Sequence, residues 1–126
     1  YKNMSKCNIT FLGKLSDVEV REYYRGCKAF VFPGEEDFGI TPVEAQACGR
    51  PVIAYGKGGT LETIVNGETG IFFYKQDVDS LKNAVLKFEN IYLNFNKQLI
   101  REHALKFGID KFKNDFITFF NEKYRE

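Results

Sequence analysis

The sequence has no tryptophan, one histidine, one methionine and three prolines among its 126 residues. Its three cysteines, Cys7, Cys27 and Cys48, are an odd number with no CxxC pair, which excludes a disulfide framework and a zinc knuckle. They read as reduced thiols packed as small hydrophobes in a cytoplasmic protein. No His, Cys, Asp and Glu cluster has metal-ligand spacing, so no metal or other cofactor is expected. Charge of either sign is not in excess: 18 Lys and Arg stand against 17 Asp and Glu. That balance excludes the basic footprint of a nucleic-acid binder. No apolar run reaches the roughly 18 residues that cross a bilayer, and no signal peptide is visible. Met4 follows "YKN" rather than opening the chain. The sequence therefore reads as a piece of a longer protein.

What is present is apolar material in short bursts. With 44% apolar and 16% aromatic residues, the chain suits one globular domain that buries roughly two-thirds of its unfolded surface. "NITFLG" (8–13), "KAFVFP" (28–33), "PVIAY" (51–55) and "TGIFFY" (69–74) read as strands bounded by glycine or proline. They lack alternation, as strands covered on both faces do. Between them, "SDVEVREYYRG" has a Ser16 or Asp17 cap, helical spacing and a Gly26 stop. "TPVEAQACG" and "TLETIVNG" read as shorter helices, and helical patterns fill the chain from residue 77 onward. The order β-α-β-α-β-α-β followed by helices predicts an α/β, doubly wound parallel sheet of Rossmann-like type.

The informative stretch is "EEDFGITPVEAQACGRPVIAYGKGG", residues 35–59. Thr41 suits a helix N-cap, Pro42 the first helical position, and Glu44 the place where a capping box folds back. That is a purely structural role for Glu44. Against it, this helix starts at the carboxyl end of a buried strand, where α/β proteins bind ligands. Its free amides and positive dipole end offer a phosphate site, with Gly39 permitting close approach. Glu36 lies in the loop facing that helix start. A phosphate flanked by two carboxylates suits a nucleoside diphosphate sugar, because ribose and hexose both offer vicinal hydroxyls.

The stretch "EEDFGITPVEAQACGRPVIA" resembles the E-x7-E segment of the retaining GT-B glycosyltransferases of family 4, the glycosyl transferases group 1. The likeness continues through "YGKGGTLETIVNGETGIFF" and, more weakly, "IREHALKFGIDKFKNDFITFF". It is closest to bacterial mannosyltransferases of O-antigen and other surface polysaccharides. The resemblance implies that residues 1–126 are part of the C-terminal, donor-binding domain, with the N-terminal acceptor domain and first strands lying elsewhere. The implied activity is retaining transfer of a hexose from a nucleotide-sugar donor, GDP-mannose in the first instance, to a glycan or lipid-linked acceptor. It would take place in the cytoplasm, at the inner face of the membrane, where the full-length protein makes peripheral contact.

By the same likeness, Glu36 is the catalytic carboxylate beside the anomeric carbon and also binds the donor sugar. The amides of Phe38, Gly39, Ile40 and Thr41 hold the sugar and distal phosphate, Glu44 binds the ribose, and Gly58 and Gly59 admit the donor closely. The leaving diphosphate is thought to take the acceptor's proton, so the domain stabilises a departing anion more than it supplies a nucleophile. The family's phosphate-binding Arg and Lys, on a loop after its first strand, have no matching segment here. Another hexosyl or N-acetylhexosaminyl transferase, or a non-catalytic sugar-nucleotide module, are the alternatives.

Other features have plainer readings. "DVD" at Asp77 to Asp79 mimics a metal motif but sits where a helix cap is needed. His103, alone in a charged helix, reads as a surface residue. Glu62 follows the glycine turn either as a helix-start charge or as the family's acidic position. Phe112, Phe116, Phe119 and Phe120 form a helical core stripe. In the implied strand order 3-2-1-4-5-6, residues 8–13 are strand three and 28–33 strand four. Residues 8–13 are then expected to lie unpaired or to collapse onto 28–33.

Overall fold

Three short parallel strands, β1 (Phe30–Phe32), β2 (Val52–Tyr55) and β3 (Gly70–Phe73), form a sheet in the order β1-β2-β3. The computed structural model describes residues 9–35 and 40–107. Five helices accompany the sheet: α1 (Asp17–Gly26), α2 (Ile40–Ala47), α3 (Thr60–Thr63), α4 (Val78–Ile91) and α5 (Lys97–Lys106). A 3₁₀ turn, Tyr92–Asn94, joins the last two.

The central strand shows why its sequence does not alternate. Val52 and Ala54 face one side and pack with Ala45 and Ile64, beside Tyr24, Phe30, Phe32 and Phe72. Ile53 faces the other and packs with Ile71, Phe73, Ala84 and Phe88. Val52, Ile53 and Ala54 are each at most 2% exposed. Burying each aliphatic chain of that size contributes about 1.5–3 kcal/mol. Helices therefore cover both faces, α4 on one and α1, α2 and α3 on the other, which is the doubly wound arrangement.

Caps set the helix boundaries. Ser16, not Asp17, caps α1: its Oγ accepts from the Glu19 amide at 3.2 Å, and the Glu19 carboxylate accepts from the Ser16 amide at 3.2 Å. This is a capping box. Asp77 caps α4, its carboxylate accepting from the Ser80 amide at 2.7 Å, so the "DVD" run begins a helix. That hydrogen bond holds the Asp77 carboxyl below the usual carboxylate range. Gly49 ends α2 at φ +82°. The Arg50 amide reaches back to the Ala45 carbonyl at 3.1 Å and the Gly49 amide to the Gln46 carbonyl at 2.8 Å, a Schellman ending.

Two expectations change, the first only in part. Residues 9–13 lie unpaired, one of the two outcomes expected, but form no strand, and Ile9, Phe11 and Leu12 are exposed by 53%, 45% and 43%. A strand needs a neighbour, and among the described residues β1 pairs only with β2, leaving its outer edge open. His103 is half-buried rather than a free surface residue. Its Nε2 lies 3.0 Å from the Thr63 carbonyl oxygen, to which it donates, and its ring meets Phe107 edge-on at 4.9 Å. The histidine thus ties α5 to the end of α3, beside the buried Ile100 and Ala104. The phenylalanines from Phe112 onward, and Cys7, lie outside the described residues.

Candidate functional site

Parallel strands all end on one side of the sheet, and here three loops leave that side together. The first follows β1 and leads into α2, the second follows β2 into α3, and the third follows β3 into α4. Gln76 on the third loop donates to the Pro33 carbonyl on the first at 3.0 Å. Lys57 on the second lies 3.9 Å from the Glu35 carboxylate on the first. The three loops are thus tied to one another above the strand ends.

Helix α2 spans Ile40–Ala47, so Ile40 and Thr41 are helical ahead of Pro42, which the sequence signal placed first. Thr41 is therefore not the cap, and Glu44 does not stand three residues after a cap at Thr41. Pro42 is still tolerated, because the amides of the first turn have no partner within a helix. Ile40 and Thr41 are both exposed at the helix start, with their amides in the part of the helix that attracts anions. Glu36, Phe38 and Gly39 lie outside the described residues.

Glu44 stands on the exposed side of α2, opposite the face carrying the buried Pro42, Val43 and Gln46. Because α1 runs into β1, it lies antiparallel to the strands and its first turn sits at the same end as the start of α2. Between the two helices is a cleft of about 570 Å³, lined by Asp17, Arg21, Tyr24, Glu44 and Cys48 among others. The Tyr24 phenol faces the Glu44 carboxylate across it closely enough to feel its charge. Burial first, and then the Glu44 charge, push the Tyr24 phenol up to about 12, so it stays a donor at any physiological pH. Burial also pushes the Cys27 thiol up, and its Sγ donates to the Tyr24 carbonyl at 3.1 Å. Cys27 and Cys48 are free and half-buried, less enclosed than small core hydrophobes.

A carboxylate offers about four lone-pair sites, and that of Glu44 lines a cleft large enough for a small polar ligand. Gly58 lies on the second loop at φ +76°, and the buried Gly59 precedes α3. The structure so brings Ile40, Thr41, Gly58 and Gly59 to the strand-end side of the sheet, with Glu44 one turn into α2. Glu62 is exposed in the first turn of α3. Tyr24 was missed from sequence. Its signal was the spacing of Asp17, Arg21 and Tyr24 at i, i+4 and i+7, one polar stripe on α1.

The structure is thus a doubly wound α/β domain with a polar cleft between α1 and α2. The chain belongs to the family "Glycosyl transferases group 1", whose model matches residues 2–105. An uncharacterised glycosyltransferase of Methanocaldococcus jannaschii is 37% identical over 84 residues, covering 66% of this chain and 24% of that protein. The capsular polysaccharide biosynthesis glycosyltransferase CapM of Staphylococcus aureus is 32% identical over 110 residues, covering 86% of this chain and 27% of CapM. The lipopolysaccharide core biosynthesis mannosyltransferase LpcC of Rhizobium leguminosarum is 37% identical over 81 residues, covering 64% and 22%. Among solved structures, sucrose-phosphate synthase of Thermosynechococcus elongatus matches with a TM-score of 0.75 at 28% identity, covering 91% of this chain and 30% of that one. The fold is thus that of a GT-B glycosyltransferase domain. The chain spans about a quarter of the length of these curated relatives. No helix among the described residues is long and apolar enough to cross a membrane.

Proposed function

We propose that this chain is the donor-binding part of a retaining hexosyltransferase, and that the α1–α2 cleft seats the nucleoside of a nucleotide sugar. Glu44 accepts hydrogen bonds from the ribose hydroxyls while Tyr24 holds its carboxylate in place. The amides at Ile40 and Thr41, with Phe38 and Gly39 before them, hold the sugar and distal phosphate at the start of α2. Glu36 meets the sugar hydroxyls beside the anomeric carbon, and Gly58 and Gly59 let the backbone approach the donor. The acceptor, a glycan or lipid-linked sugar, is bound by another part of the full-length protein at the cytoplasmic face of the membrane. Mannose from GDP-mannose is the preferred donor, on the likeness to LpcC among the relatives.

The observation that carries this reading is the placement of Glu44: on the open face of α2, beside the Tyr24 phenol, and lining a ligand-sized cleft. Titration calorimetry of the full-length protein against GDP-mannose, UDP-glucose, UDP-galactose and UDP-N-acetylglucosamine tests it. Binding of one of these, with retention of anomeric configuration in the product, supports it. Failure of all four to bind overturns it, and binding without turnover leaves a non-catalytic module.

A further inference from the structure

We propose that Cys27 and Cys48 form a thiol switch on the α1–α2 cleft, joined into a disulfide by a peroxide and reopened by a thiol reductant. The ligand it controls is the nucleoside diphosphate of the reading above, on which this inference rests. Both cysteines are reduced and half-buried. Each stands directly after a helix of the cleft, Cys27 after α1 and Cys48 after α2. The chain brings these two helix ends side by side. β1 and β2 are parallel neighbours, and the Phe30 amide donates to the Pro51 carbonyl at 3.0 Å. Cys27 lies three residues before Phe30, and Cys48 three before Pro51. Further back, the Arg50 guanidinium donates to the Arg25 carbonyl in the last turn of α1. Cys48 lines the cleft with Tyr24 and Arg25, and the Cys27 Sγ donates to the Tyr24 carbonyl at 3.1 Å. Both thiols therefore adjoin the same turn of α1.

The surroundings suit one thiol to be oxidised first and the other to resolve it. Cys48 lines the cleft and is the one a small oxidant meets. Its sulfur attacks hydrogen peroxide, the O–O bond breaks, and Cys48 becomes a sulfenic acid as water leaves. The Cys27 sulfur then attacks the Cys48 sulfur, its proton leaving with the hydroxyl as a second water. Two thiols and one peroxide thus give one disulfide and two waters. Burial holds the Cys27 thiol above its ordinary range, while the Arg50 guanidinium pulls it the other way. The Cys48 sulfur is near enough for Cys27 to feel its charge. The Arg50 Nε is buried with no hydrogen-bond partner among the described residues, which leaves a donor for the thiolate that the second step needs. A disulfide holds its sulfurs about 2.05 Å apart. Closing it draws the ends of α1 and α2 together, one turn from where Tyr24 faces Glu44, and narrows the cleft.

The test uses the full-length protein, treated with hydrogen peroxide, blocked with iodoacetamide and mapped by peptide mass spectrometry. GDP and UDP affinities are titrated before oxidation, after it, and again after dithiothreitol. A Cys27–Cys48 disulfide is expected, with affinity for the bound diphosphate falling about tenfold, as for one charged hydrogen bond lost, and returning on reduction. Cys27→Ser should bind the diphosphate as the reduced parent does and keep that affinity in peroxide. Cys7→Ser should still form the disulfide. A disulfide through Cys7, or an over-oxidised Cys48 with no link to Cys27, would overturn the proposal and leave the donor-site reading standing. So would a Cys27–Cys48 disulfide that leaves the affinity unchanged. If the reduced protein binds neither nucleotide, both fail.

Discussion

The Tyr24 phenol on α1 faces the Glu44 carboxylate on α2 across the cleft between the two helices, and burial, helped by the Glu44 charge, pushes the phenol up. The phenol presents a donor to a carboxylate on an exposed helix face. Tyr24 is itself held by edge-on packing against Phe30 of β1, with ring centroids 5.3 Å apart. The position of the phenol is thus set by the hydrophobic layer beneath it.

Removing the hydroxyl leaves Glu44 in place but less well oriented. Tyr24→Phe is predicted to weaken nucleoside diphosphate binding by about 0.5–1.5 kcal/mol, the size of one hydrogen bond. Calorimetric titration of the full-length variant measures it. An unchanged affinity would mean that Tyr24 does not orient a ligand-binding group.

The same contact makes a pH prediction. The folded protein holds the Tyr24 proton up to about 12, whereas an unfolded tyrosine releases it near its ordinary value of 10.0. The stability contribution is therefore complete below pH 10 and is lost as pH rises from 10 towards 12. Chemical denaturation across that window should show a steeper alkaline loss in the unaltered protein than in Tyr24→Phe. Parallel curves would remove the inferred burial of the phenol.

Gly70 opens β3 where a Cβ would lie 2.1 Å from the Val52 carbonyl oxygen and 3.0 Å from the Ile64 side chain. Gly70→Ala must push β3 away from β2 and loosen the core at its amino end. A loss of about 1–3 kcal/mol or more is predicted, to be read from urea unfolding. A variant as stable as the parent would contradict the close strand approach.

Glu36→Gln keeps the side chain's shape but removes its charge. In the full-length enzyme it is predicted to lower transition-state stabilisation by about 2–4 kcal/mol, with nucleoside diphosphate affinity nearly unchanged. Steady-state turnover and titration on the same variant check both halves. Turnover within threefold of the parent would remove Glu36 from the catalytic role.

The sheet was legible because its strands are uninterrupted apolar runs with glycine or proline at their ends. Residues 52–55 could hardly be anything else. Residues 8–13 carry the same composition, yet residues 9–13 form no strand even though the outer edge of β1 is open, because composition does not fix which edge, if any, a run pairs with. The start of α2 was misplaced, since Thr-Pro is a strong local start signal, yet Ile40 and Thr41 are already helical. Glu36 and Glu44 stand out in the motif, but Glu36 lies outside the described residues, and the approach of Glu44 to Tyr24 depends on residues twenty positions apart meeting in space. His103 was misread for a like reason. Its charged helix suggested solvent, and only the packing of α5 against the rest of the domain brings it to the Thr63 carbonyl.

The central claim is that Glu44 reads the ribose of a nucleotide-sugar donor. Affinity for the nucleoside diphosphate and melting temperature, measured together on full-length Glu44→Ala, test it most directly. A carboxylate bonded to ribose predicts weakening by about 1.5–3 kcal/mol, with little change in melting temperature. An unchanged affinity with a lowered melting temperature would show that Glu44 serves the helix and the Tyr24 contact rather than the donor.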